Sequence, residues 1–197
     1  MTTRHAFDCR NFKTAARVAA LALGCCGALF APAAATAESH IAASLGLPAP
    51  GQQPEGDVLL SVTITDSANT DAKHARYLFD RTALEVLPKD SFETSTIWTE
   101  GLQRFEGVRL HALVQELGIS DGTLWLTAIN DYMVEMPVSE LRADGALLAH
   151  TRNGAPMTAR DKGPLWVVFP YDENPRWQTE TVYARSIWQL DRIEVER

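Results

Sequence analysis

The segment "RFEGVRLHALVQELGI", residues 104–119, carries a turn signal at Gly107 and then the spacing of an amphipathic helix. Leu110, Leu113, Val114 and Leu117 recur three and four residues apart, which puts them on one helical face. Gly118 follows the last of them and is the expected C-cap. After this helix the character of the chain changes. "TLWLTAIN" (123–130), "YMVEMPV" (132–138) and "ALLAHT" (146–151) read as strands separated by turn signals. "RNGAPM" (152–157) reads as a hairpin loop. "PLWVVFPY" (164–171) is an apolar run suited to a buried strand, "NPRWQ" (174–178) is a loop, and "SIWQLDRIEVE" (186–196) alternates as a final strand.

Upstream, "DVLLSVTIT" (57–65) reads as a strand and "DSANTDAKHA" (66–75) as a loop. "FDRTALEVLP" (79–88) predicts a short helix with Asp80 as N-cap and Pro88 as stop. "SFETSTIWTEG" (91–101) reads as a strand crowded with hydroxyls: Ser91, Thr94, Ser95, Thr96 and Thr99 surround Trp98. These are either ordinary β formers on an exposed face or the lining of a pocket. The expected class is α+β and β-rich, with mixed sheets and two or three short helices.

The chain ends bound the cellular context. Arg4, Arg10, Lys13 and Arg17 precede an uncharged apolar run from Val18 to Phe30, and Ala35-Thr36-Ala37 has the small-x-small form of a signal-peptidase site. Residues 1–37 are therefore expected to be a cleaved signal peptide. The alternatives are a retained anchor, for which the run is short, and lipidation at Cys25, which Ala22-Leu23 suits poorly. No two arginines are adjacent, so the twin-arginine export signal is absent. A periplasmic or secreted location follows as an expectation, with no membrane span after cleavage. Residues 38–56, rich in Ala, Pro, Gly and Gln, read as a flexible leader, and 57–197 as one domain.

All three cysteines, Cys9, Cys25 and Cys26, precede the expected cleavage point. A chain starting at Glu38 has no disulfide, no thiolate ligand and no cysteine nucleophile. The full chain carries 18 basic and 25 acidic residues; removing the four basic residues named above and Asp8 leaves 14 against 24. That balance argues against nucleic acid and anionic membrane as partners. Gly118-Ile119-Ser120-Asp121-Gly122 matches the nucleophile-elbow pattern, but helix precedes strand here, the reverse of what an elbow needs. His40, His74, His111 and His150 lack metal-ligand spacing and are expected on the surface or on a helix face.

Five segments in order carry more weight than any single motif: "FEGVRLHALVQELGI" (105–119), "AINDYMVEMPVSEL" (128–141), "LLAHTRNGAPM" (147–157), "KGPLWVVFPY" (162–171) and "RSIWQLDRIEV" (185–195). Together they resemble the molybdopterin-binding oxidoreductase domain of the sulfite oxidase type over roughly residues 57–196. The resemblance implies that family's β-rich fold. It also implies a metal-ligating cysteine before the first segment, a position that falls at Thr94 or within Thr94–Thr96. A hydroxyl is a poor substitute for thiolate on a soft metal. Trp166 stands where the family tends to have Arg, and Ile187 where Lys would precede Trp188.

Two functions are weighed. In one, the domain has lost its metal and binds a small molecule or a periplasmic partner protein, with no cofactor. In the alternative, an active molybdopterin-dependent oxidoreductase uses a non-cysteine metal site. Thr94, Ser95 and Thr96 would then lie near the metal, Asn130, Asp131 and Tyr132 would orient substrate, and Arg176 or Arg185 would hold the pterin phosphate. Trp98 and Tyr171 complete the pocket candidates. Core packing is the expected role of Trp98, Trp166, Trp177 and Trp188.

Overall fold

The computed structural model describes residues 46–66 and 74–197. The expected signal peptide and its expected cleavage point lie outside the described residues, as does His40. The elements are β1 (Leu60–Thr65), β2 (Ala75–Phe79), α1 (Arg81–Val86), β3 (Lys89–Thr94), β4 (Gln103–Arg109), α2 (Leu110–Glu116), β5 (Thr123–Ala128), β6 (Met133–Pro137), β7 (Leu147–Arg152), β8 (Ala155–Pro156), β9 (Trp166–Val168), α3 (Glu180–Arg185) and β10 (Leu190–Glu196).

Two sheets share one core. The first runs β2-β1-β10-β5-β6 and the second β3-β4-β7-β8, with β9 also on β7. β1 buries Leu60, Val62 and Ile64 in alternation, the period-2 pattern of a half-buried strand. It pairs in parallel with β10 and antiparallel with β2. β5 closes the other side of β10 and turns back as β6. Trp166 of β9 is fully buried and meets Phe105 of β4 edge-on, with ring centroids 5.3 Å apart.

The helix read from residues 104–119 forms as α2, with Leu110, Leu113 and Val114 buried and Gly118 left-handed at φ 68° beyond its end. Asp80 caps α1, accepting the Ala83 N–H at 2.8 Å.

Several expectations are corrected. Gly107 is no turn; it lies within β4 opposite Ala149. A Cβ there would sit 2.0 Å from the Leu148 carbonyl oxygen, so close backbone approach demands the glycine. The β4–β7 register shifts at this point, from Glu106↔Thr151 to Gly107↔Ala149, which leaves His150 as the extra residue of a β-bulge. His150 is thus buried in a sheet, not on the surface, and its Nε2 has no hydrogen-bond partner among the described residues. β2 lies mostly in residues 76–78, for which no element is expected, and takes only Ala75 from the expected loop and Phe79 from the expected helix. α3 follows "NPRWQ" unforeseen, and β3 ends at Thr94, so only the first part of "SFETSTIWTEG" is strand. Of the expected leader, residues 46–56 are described, and they dock on the body: Leu47 is buried, and the Gly51 N–H donates to the Arg76 carbonyl at 2.7 Å.

Candidate functional site

The hydroxyls after β3 shape a loop. Thr94 is fully buried. Its Oγ1 donates to the Ser95 carbonyl and accepts the Asp172 N–H, both at 3.2 Å. Ser95 grips the Asp172 carboxylate twice, through its N–H at 2.5 Å and its Oγ at 2.7 Å. Those bonds to Ser95 hold the Asp172 carboxyl below its ordinary pKa, because they stabilise the charged form. Thr96 and Thr99 share a hydroxyl–hydroxyl bond at 2.8 Å, and Thr96 Oγ1 accepts the Trp98 N–H at 3.1 Å.

This loop delivers the Trp98 indole onto four rings. It meets Trp166, Tyr171, Tyr183 and Trp188 edge-on, with centroids 5.8–6.2 Å apart, the favoured geometry for aromatic pairs. An open cavity of about 390 Å³ adjoins the cluster. Trp98 forms one wall. The end of β5 and its hairpin supply Ala128, Asn130 and Tyr132, and the end of α3 with the following segment supplies Tyr183, Ala184, Ser186, Ile187 and Trp188. A bridge between Trp166 and Trp188 ties that segment to β9.

The wall contains no carboxylate and no cation. Ser186 Oγ is engaged behind it, donating to the Val182 carbonyl at 2.8 Å and accepting the Tyr171 hydroxyl at 2.6 Å. Burial pushes the Tyr171 pKa well above the ordinary phenol range. Outside the wall, the Lys162 Nζ lies 4.6 Å from the Trp188 ring centroid and 5.6 Å from that of Trp166.

Of the residues expected in a pocket, Trp98, Asn130 and Tyr132 line the cavity. Thr94, Ser95, Thr96 and Tyr171 stand behind Trp98 as its supports. Asp131 adopts φ 64° at the hairpin tip and ion-pairs with Arg192. Arg176 pairs with Asp144 and covers Trp177 at 4.4 Å. Arg185 pairs with Glu140 at 2.5 Å and donates to the Glu135 carbonyl at 3.1 Å. Neither arginine is part of the wall. Trp188, 38% exposed, is a wall residue where core packing was expected. Tyr183 and Ala184 went unread because α3 carries only one buried residue, Val182, too little for a periodic signal. Ser120 sits in the turn between α2 and β5 and donates weakly to Asp121 at 3.4 Å, as the order of helix and strand required. Among the described residues, no three His, Cys, Asp or Glu side chains gather as metal ligands.

Residues 86–194, more than half of the chain, match the model of the oxidoreductase molybdopterin-binding domain. The chain belongs to this family. Within this molybdopterin-binding domain the matched span runs from α1 into β10 and takes in every cavity residue. The α+β, sheet-rich architecture is that of the sulfite oxidase type. Among solved structures, the sulfane dehydrogenase SoxCD from Paracoccus pantotrophus is similar at 15% identity and TM-score 0.49, over 70% of this chain and 38% of that one. The chain thus spans well under half the length of that relative. No curated protein matches it.

Proposed function

We propose that this molybdopterin-binding-type domain works without a ligated metal, as an exported module whose aromatic cavity binds a small molecule or a segment of a periplasmic partner. The observation that carries the reading is Thr94. The resemblance puts the family's ligating cysteine at Thr94 or within Thr94–Thr96, and no cysteine follows Cys26. The Thr94 hydroxyl is buried and already both donates and accepts within the protein. Metal ligation there would break those bonds and still offer oxygen where thiolate is preferred.

The surroundings support the same conclusion. The Asp172 carboxylate, stabilised as an anion beside Thr94, opposes an anionic pterin. Trp166 and Ile187, both buried, stand where the resemblance puts the family's Arg and Lys. An anionic group desolvated here meets no pairing cation in the wall, a cost of several kcal/mol. These residues do not fit a thiolate-ligated molybdenum centre. Export rests on the basic leader, the apolar run and Ala35-Thr36-Ala37.

Family membership itself favours the second reading, an active molybdopterin-dependent oxidoreductase with a non-cysteine site. Turnover separates the two. Protein made in a host with an intact cofactor pathway is expected to show no sulfite or sulfoxide turnover, in the wild type or in Thr94→Cys. Wild-type turnover that disappears in Thr94→Ala would establish the second reading.

A further inference from the structure

The wall chemistry identifies a class of ligand, granted the metal-free reading above. We infer that the cavity takes an uncharged, planar, fused-ring molecule with a ring carbonyl. Anions are disfavoured because the wall offers no cation and the chain is net acidic, at −7. Cations are disfavoured because the wall offers no carboxylate to pair them.

Planarity follows from ring geometry. Trp98 stands at 85° to Tyr183 and at 69° to Trp188, with centroids 5.9 and 5.8 Å away. A flat ligand lying parallel to one of these rings meets its neighbour edge-on, so both contacts are made in a preferred aromatic geometry. The volume of about 390 Å³ suits roughly two or three fused rings, at the small end of ligand cavities. Asn130 supplies the polar contact. Its Oδ1 accepts the Tyr132 N–H at 3.3 Å, and its amide nitrogen makes no hydrogen bond among the described residues. That nitrogen is a donor for a carbonyl oxygen.

Equilibrium dialysis of the exported protein against three probes tests the class: coumarin (neutral), coumarin-3-carboxylate (anionic) and N-methylquinolinium (cationic). Coumarin is expected to saturate at one per chain, at least tenfold tighter than either charged probe. Trp98→Ala is expected to weaken it at least tenfold. Because Trp98 also packs on buried rings, Ala184→Phe provides a second variant. Ala184 is exposed at the cavity wall, so the added ring blocks entry while the thermal melt stays unchanged, and coumarin binding falls at least tenfold. Preference for a charged probe, or coumarin binding untouched by Ala184→Phe, overturns the inference. Molybdenum is counted on the same preparation. Absent coumarin binding with little molybdenum overturns the ligand class alone, whereas stoichiometric molybdenum overturns the metal-free reading on which it rests.

Discussion

Thr94, Ser95 and Asp172 form one hydrogen-bonded unit that ties the loop after β3 to the segment after Tyr171. The run of hydroxyls marked residues 94–99 as unusual, but their use depends on Asp172, 77 residues beyond Ser95. No local pattern encodes that partner. His150 is a second case. Nothing in "LLAHTRNG" marks it as the buried residue of a bulge, since the bulge arises from Gly107 on another strand. Burial lowers the His150 pKa from its ordinary 6.5; Arg81 and Lys89 act in the same direction, while Glu85 and Glu106 oppose them. The folded protein therefore keeps this ring neutral where the unfolded chain takes up a proton. The resulting stability is present above about pH 6.5 and is lost as pH falls through the lower, folded-state value. Urea midpoints of the wild type should drop more between about pH 7.5 and 5.5 than those of His150→Leu. An equal drop would show that His150 is protonated in the folded state.

Secondary structure was legible where apolar periodicity was strong. α2 and β1 were read nearly as they stand, because Leu110, Leu113 and Val114, and Leu60, Val62 and Ile64, carry their period in the local sequence. Gly107 was misread because a glycine in a turn and a glycine under close approach look alike in sequence. β2 has no run of β-branched residues and exists through its pairing with β1. Stability measurements separate these elements. Leu113→Ala should cost about 2–5 kcal/mol in urea unfolding, and Glu116→Ala within about 0.5 kcal/mol. Gly107→Ala should cost about 3 kcal/mol or more, because backbone on β7 must move. A reversed order for Leu113 and Glu116, or a neutral Gly107→Ala, would contradict the packing described.

At the scale of the whole molecule, the order of segments was more legible than any one of them. Five weak matches in sequence led to the family and to its β-rich α+β fold, and the match over residues 86–194 agrees. The cavity was legible in part. Trp98, Asn130 and Tyr132 are legible in the sequence as pocket residues, since aromatic and amide side chains near turns suit a binding site. The α3 wall was not, because the tertiary fold alone brings Tyr183 and Ala184 to Trp98. The outcome is a molybdopterin-binding-type domain whose pocket is aromatic and free of carboxylates and cations in its wall. The most direct test is elemental analysis for molybdenum, per chain, on wild-type protein purified from a host that makes the cofactor. The account predicts far less than one molybdenum atom per chain; stoichiometric molybdenum would contradict it.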